Sequence, residues 1–247
     1  GVRFIVFTTI AKLIPLLLLV AFGTGHITAE NLQWKQTLTV NNIGASTLVL
    51  FYAFLGIETA VTNSGEFKNP AKTVPLGILG GLSFVLVLYI AIQLITQGIL
   101  GDRLLTFKDA PLAAVSEILF GNFGSVLIVS GTAIAILGSL SGEILAIPRV
   151  LFAGARDGIL PKALSKVHPQ FFTPHVAIIV YAALGFLFAV FGGFKQLIIL
   201  ASAATILIYL GVVLAAIKLR FKKTGTEKTF TIPGGITVPL IAAAIII

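Results

Sequence analysis

The sequence of 247 residues contains no cysteine and few charged residues. Without cysteine, the chain can form no disulfide, no thiolate nucleophile and no cysteine-ligated metal site. Charged residues make up 11% of the chain, whereas soluble domains carry about 25%. Because 57% of the residues are hydrophobic and the mean hydropathy is +1.06, the composition predicts an integral membrane protein.

The common signatures of enzymes are also missing. The chain has no HExxH, GxSxG or GxxxxGK[ST] motif and no pair of carboxylates suited to hydrolysis. The three histidines, His26, His168 and His175, do not have the spacing of metal ligands. The sequence therefore predicts no enzyme, no cofactor and no metal site.

Seven apolar segments are separated by more polar stretches, and the first six are near or above the length that crosses a bilayer, about 20 residues. The predicted spans are residues 4–23, 45–66 (broken near 56–58), 73–99, 123–150, 174–192, 195–218 and 236–247 (truncated). We interpret residues 1–247 as one all-α transmembrane transporter domain. The chain begins at Gly1 and stops inside an apolar run, so we expect a fragment of a larger protein.

The net charge of +8 follows from the distribution of basic residues. With the N-terminus in the cytoplasm, the predicted inner loops hold 12 of the 17 Lys and Arg residues and the outer loops hold four. This asymmetry matches the positive-inside rule. The basic charge therefore needs no nucleic-acid partner. We expect a multi-pass protein of the cytoplasmic (inner) membrane, with the lipid bilayer as its surroundings.

The stretch from Leu48 to Pro75 begins as a spanning helix and then places Gly56 and Glu58 at mid-span. A glycine and a carboxylate there predict backbone and charge that face a cavity, as in the discontinuous helices of secondary transporters. Gly56 would permit unwinding, and a substrate ammonium would supply donors to the freed carbonyls. Glu58 either carries a proton or supports the broken helix. The aromatic neighbours Phe51, Tyr52 and Phe54 either line a pocket or only pack.

Lys12 lies near the middle of the first span. An ionised lysine at a helix centre costs about 2.5–3.5 kcal/mol on insertion scales, so a partner is expected. One reading is an ammonium that occupies a cation position and exchanges its proton during transport. The other reading is a structural lysine paired with a carboxylate or with backbone carbonyls.

A small polar cluster, Gly138-Ser139-Leu140-Ser141-Gly142-Glu143, interrupts another apolar segment. The glycines favour close helix packing. Ser139 and Ser141, together with Glu143, are candidates for supporting a cation position or Lys12.

Two longer motifs extend this pattern. One is Phe51-x-x-Phe54-x-Gly56-Ile57-Glu58, followed by Glu66, Asn69-Pro70 and Pro75; the other is PRVLFAGARDGILP over 148–161, continuing to His168 and Thr173-Pro174. They resemble the sixth helix, and the end of the eighth helix with its following loop, of the amino acid–polyamine–organocation (APC) permeases. The likeness extends over essentially the whole chain, and the first span looks like the fifth helix of these permeases.

The resemblance implies part of a five-plus-five inverted-repeat bundle with a discontinuous helix. It implies a substrate site formed by Phe51, Tyr52, Ala53, Phe54, Gly56 and Ile57. It also implies that Lys12 stands where sodium sits in ion-coupled relatives, so that Lys12, with Glu58, is the candidate for proton coupling. The substrate carboxylate would be held by the family's first helix, which this chain does not include.

We therefore expect a secondary active transporter that moves amino acids or related amines by alternating access, coupled to protons. Its partners would be the small-molecule substrate and protons. An exchanger of amino acids or polyamines and a transport-dead membrane sensor are the alternatives. The sequence does not specify the substrate side chain or the oligomeric state.

Overall fold

A computed structural model describes residues 2–33, 39–58, 61, 68–221 and 234–246. Of the residues in these ranges, 83% are helical, and no strand occurs among them. This confirms the predicted all-α class. The helices whose bounds lie in the described ranges are α1 (Val2–Gly23), α2 (Val40–Tyr52), α3 (Pro70–Leu100), α4 (Pro111–Phe120), α5 (Asn122–Arg156), α6 (His175–Phe191), α7 (Phe194–Phe221) and α8 (Thr237–Ile246).

Four stretches are long and apolar enough to cross a membrane: Arg3–His26, Pro70–Leu105, Asn122–Arg156 and Phe194–Phe221. Helices α4, α6 and α8 are apolar but shorter. Large apolar side chains remain exposed along the long helices, for example Val87, Val129 and Leu207. Such helices are typical of a multi-pass membrane protein, because lipid replaces the buried core of a soluble domain. Which segments cross the bilayer remains a prediction.

The chain divides into two compact units, and each is built from two separate stretches. Unit 1 contains Gly1–Gln36 and Ser83–Ala183, and unit 2 contains Thr37–Leu82 and Leu184–Ile247. The interpretation of residues 1–247 as a single domain remains a prediction.

Unit 1 is organised around the packing of α1 against α5, with α4 beside both. Its buried apolar centre consists of Leu19, Ile95, Leu100, Val115 and Ile128. Small residues allow the close approach of α1 and α5, because a Cβ on Gly131 would lie 2.7 Å from the Pro15 ring and one on Gly138 would overlap the Thr8 side chain.

Helices α4 and α5 form a tight hairpin. Helix α4 begins at Pro111, because proline at the first helical position leaves no N–H unpaired. The turn between the helices uses Gly121 at φ +65°. A Cβ on Gly124 would collide with the carbonyl oxygen of Ser116, so the hairpin depends on glycine at this position.

Unit 2 pairs α2 with α7, and α7 with α8. Ser202 on α7 is fully buried, and its hydroxyl donates a hydrogen bond of 3.3 Å to the carbonyl oxygen of Leu48 on α2. This contact fixes α7 beside the part of α2 that precedes the predicted break.

Candidate functional site

Helix α2 ends at Tyr52, and residues 53–58 form a series of turns. The N–H groups of Ala53, Phe54 and Leu55 each donate to the carbonyl three residues earlier, at 3.0–3.1 Å. This tighter spacing replaces the i→i−4 bonds of the α-helix. Gly56 then adopts φ +99°, although a Cβ there would meet nothing within 4 Å. The backbone angle, and not crowding, therefore favours glycine at position 56.

The carboxylate of Glu58 holds this turn. Its Oε2 atom accepts a hydrogen bond of 3.0 Å from the backbone N–H of Gly56 and one of 2.8 Å from the Tyr209 hydroxyl on α7. The Tyr209 ring also contacts the Phe51 ring edge-to-face, with centroids 5.8 Å apart. Helix α7 therefore braces both the end of α2 and the turn that follows. In this arrangement Glu58 supports the backbone around Gly56.

The predicted substrate residues surround this turn. Phe51 and Tyr52 form the last two helical positions of α2, and Ala53, Phe54, Gly56 and Ile57 lie in the turn itself. Phe51, Phe54 and Ile57 are half-buried, whereas Ala53 and Gly56 are exposed. The structure thus places all six on one short segment of unit 2, and their role in substrate binding remains a prediction.

Lys12 belongs to unit 1 and lies at the middle of α1, half-buried. It lines a cavity of about 280 Å³ together with Pro15, Tyr89, Ile128 and Thr132. Within the described part of unit 1, the Lys12 ammonium makes no ion pair or hydrogen bond. The ammonium therefore borders a cavity whose walls are mainly apolar, with hydroxyl groups from Tyr89 and Thr132.

Ser141 and Glu143 of the polar cluster on α5 form hydrogen bonds with groups other than Lys12. The Glu143 Oε2 atom accepts a hydrogen bond of 3.0 Å from the Tyr181 hydroxyl on α6. The Ser141 hydroxyl donates at 2.7 Å to the carbonyl of Leu137, one turn earlier in its own helix. Among the described residues of unit 1, no hydrogen bond joins Ser139, Ser141 or Glu143 to Lys12. Their support of a cation position remains a prediction.

Sequence reasoning did not identify Tyr181 and Tyr209, the two phenols that hold the glutamates. Each lies in an apolar span, where a tyrosine is equally typical of packing. The available signal was the unpaired carboxylate itself, because an intramembrane glutamate requires a donor.

The sequence predicts no metal site, because the three histidines do not have the spacing of metal ligands. In the described ranges, no group of three or more His, Asp or Glu residues is placed to hold a metal ion. His168, in the loop between α5 and α6, does lie beside His175, the first residue of α6, with ring centroids 5.4 Å apart.

Comparison with known proteins covers the whole chain. A family model described as "Amino acid permease" matches residues 1–247. Three similar proteins of Bacillus subtilis are the serine/threonine exchanger SteT (33% identity over 96% of this chain and 55% of the relative), the branched-chain amino acid permease BcaP (27%, 94% and 50%) and the methylthioribose transporter (29%, 95% and 50%). The chain thus spans about half the length of these relatives. These matches confirm the resemblance found in the sequence, and the chain belongs to the amino acid permease family.

Proposed function

We propose that the full-length protein is a secondary transporter that moves amino acids or related amines across the membrane by alternating access, coupled to protons. The observation that carries this proposal is the turn at residues 53–58, where an apolar helix ends and Gly56 takes a left-handed conformation held by Glu58. The names of the relatives, which include an amino acid permease and an exchanger, support the substrate class.

In this proposal, backbone carbonyls at the end of α2 accept the substrate amino group. A helix C-terminus carries a partial negative charge, so it favours a cation. Glu58 and Tyr209 keep the turn in one geometry by hydrogen bonding, and Phe51 and Phe54 contribute apolar contact for the substrate side chain. The site binds and orients the substrate, and no covalent step is involved.

Lys12 supplies the coupling in this proposal. Its ammonium borders the cavity that Thr132 and Tyr89 also line, so a change in its protonation changes the charge in that cavity. Transport against a gradient requires that substrate and proton bind with different affinity to the outward- and inward-facing states. Among the residues that the structure describes, Lys12 is the basic side chain at the middle of a predicted span. Its protonation can provide this difference in affinity.

The test uses the full-length protein in proteoliposomes, with uptake measured with and without a pH gradient. Lys12→Ala is expected to abolish gradient-driven uptake while exchange or substrate binding persists. Lys195→Ala, which removes an exposed lysine near the start of α7, is the matched control and should behave as the parent. If Lys12→Ala retains the full gradient dependence, Lys12 has no part in coupling.

An exchanger is the second candidate, favoured by the 33% identity with a serine/threonine exchanger. Counterflow distinguishes the two functions. Liposomes loaded with unlabelled amino acid and given labelled amino acid, without any ion gradient, accumulate label if the protein exchanges. Strong counterflow together with no stimulation by a pH gradient would identify an exchanger and refute proton coupling.

A further inference from the structure

The loop between α5 and α6, residues 157–174, carries an exposed aromatic tip. Phe171 is 70% exposed and Phe172 is 82% exposed, and Ile159 in the same loop is 80% exposed. Leaving side chains of this size in water is unfavourable, because burying one completely is worth about 1.5–3 kcal/mol. An exposed group of them therefore marks an interaction surface.

The tip has a defined shape, set by His168. The His168 N–H donates to the carbonyl of Thr173 at 2.8 Å, and its own carbonyl accepts from Phe172 N–H at 2.9 Å. Its Nδ1 atom accepts from the N–H groups of Gln170 and Phe171, at 3.2 and 3.4 Å. Phe172 has φ +51°, a conformation uncommon for a bulky residue. The loop therefore holds the two phenylalanines in place.

Basic residues accompany the aromatic tip. Arg156 ends α5, and Lys162 and Lys166 follow in the loop, with Asp157 as the single acidic residue of this segment. All three basic side chains are exposed, and Arg156 also lies over the Phe152 ring, 5.8 Å from its centroid. Among the residues that the structure describes, Lys162 and Lys166 make no ion pair. The surface therefore combines apolar bulk with an excess of positive charge.

The length of α6 fixes the depth of the tip relative to a bilayer. Helix α6 has 17 residues, so it is about 26 Å long at 1.5 Å per residue. This is shorter than the hydrocarbon core, which is about 30 Å thick. If α6 crosses, its first residue, His175, lies no farther out than the membrane interface. Phe171 and Phe172, four and three residues earlier, then lie at the level of the lipid headgroups.

We propose that the loop 157–174 is a binding surface for anionic phospholipids. The rings of Phe171 and Phe172 lie at the boundary between headgroups and acyl chains, where apolar side chains stabilise interfacial segments. Lys162 and Lys166 bind the negatively charged headgroups of the same leaflet. The loop belongs to unit 1, and this proposal does not depend on the proposed transport activity.

The first experiment places a fluorescent probe at the tip. Phe172→Trp in the full-length protein is reconstituted into vesicles, and its emission is compared with that of the parent protein to isolate the introduced tryptophan. Lipids brominated on the acyl chain near the headgroup are expected to quench it strongly, and aqueous iodide weakly. Phe171→Trp provides an independent second position.

Two results would overturn the proposal. Quenching by iodide without quenching by brominated lipid would place the tip in water. Quenching by neither would show that another part of the protein covers the tip.

The second experiment tests the preference for anionic lipid. Quenching by brominated phosphatidylglycerol is compared with quenching by phosphatidylcholine brominated at the same position, over a range of compositions. Each lysine near an anionic surface is worth about a fivefold change in association. Lys166→Gln in the Phe172→Trp protein is therefore expected to reduce the preference for phosphatidylglycerol about fivefold, and Lys162→Gln similarly. The control is Lys195→Gln. Lys195 lies in α7, just beyond the other end of α6, so this substitution should leave the preference unchanged. Equal quenching by the two lipids in the Phe172→Trp protein would refute the anionic-lipid surface.

Discussion

Removing the hydroxyl of Tyr209 tests whether Glu58 supports the turn at Gly56. Tyr209→Phe deletes the donor of the 2.8 Å hydrogen bond to Glu58 but keeps the ring that packs against Phe51. The substitution therefore isolates one hydrogen bond from the packing around it. If the turn forms the substrate site, losing this bond lowers both the stability of the protein and its affinity for substrate.

The expected magnitude follows from the two bonds that meet at one oxygen atom. Glu58 Oε2 accepts from both Gly56 N–H and Tyr209 O–H. Hydrogen bonds between membrane helices contribute about 0.6 kcal/mol on average and up to about 1.7 kcal/mol. Because Glu58 is exposed, we expect Tyr209→Phe to cost about 1 kcal/mol. Glu58→Leu removes the oxygen that accepts both hydrogen bonds and is expected to cost about 2 kcal/mol.

The assay is a double-mutant cycle on the full-length protein, with Tyr209→Phe, Glu58→Leu and the combined variant unfolded in mixed micelles. Glu58→Gln retains an acceptor oxygen and should resemble the parent in stability and in gradient-driven uptake. The control Tyr181→Phe removes the equivalent hydroxyl from the Glu143 pair. It should reduce stability by a similar amount without changing substrate affinity. A coupling energy of zero between Tyr209 and Glu58, or a loss of uptake in Glu58→Gln equal to that in Glu58→Leu, would refute the supporting role of Glu58.

Two further predictions concern unit 1. Gly124→Ala places a Cβ against the Ser116 carbonyl, so it should destabilise the α4–α5 hairpin by about 1–3 kcal/mol. The control Gly142→Ala adds a Cβ that meets nothing within 4 Å, so it should be neutral or slightly stabilising. Thermal unfolding compares the two variants, and equal effects would contradict the close packing at Gly124. His168→Leu removes the acceptor for two backbone N–H groups and should make the loop 157–174 more sensitive to limited proteolysis. His168→Asn keeps a side-chain oxygen that can accept, so it should restore resistance. Equal cleavage of both variants would show that the His168 ring does not hold the loop.

The departure from regular helix near Gly56 was predictable because the residue types there conflict with their surroundings. A glycine and a carboxylate inside an apolar run indicate that the local backbone is not an ordinary spanning helix. The structure places the turn at 53–58 and gives Gly56 a positive φ. The phenol that completes this arrangement was not predictable, because Tyr209 is 151 residues away along the chain and a tyrosine in an apolar helix has several ordinary roles.

Helix ends were also less predictable than the helices themselves. The apolar run of the fourth segment fades after 150, yet α5 continues to Arg156, because the i→i−4 hydrogen bonds that define a helix do not require apolar side chains. Likewise α2 begins at Val40, before the predicted span, which starts at residue 45. The polar Asn41 and Asn42 lower the local hydropathy, although they lie within the helix. For Lys12 the sequence indicated an unusual charge, but the cavity that Tyr89 and Thr132 line depends on packing between distant helices. Hydrophobic pattern identifies which segments are helical, and tertiary contact decides which side chains meet.

The 151-residue separation between Glu58 and Tyr209 also has a consequence for biosynthesis. At a synthesis rate of about 5–20 residues per second, on the order of 10–30 s pass between the appearance of the carboxylate and that of its phenol partner. During that interval the segment with Glu58 has entered the insertion machinery, while α7 has yet to be translated. A nascent chain therefore carries this acidic group without its brace, and the segment acquires its final geometry only when the later half arrives.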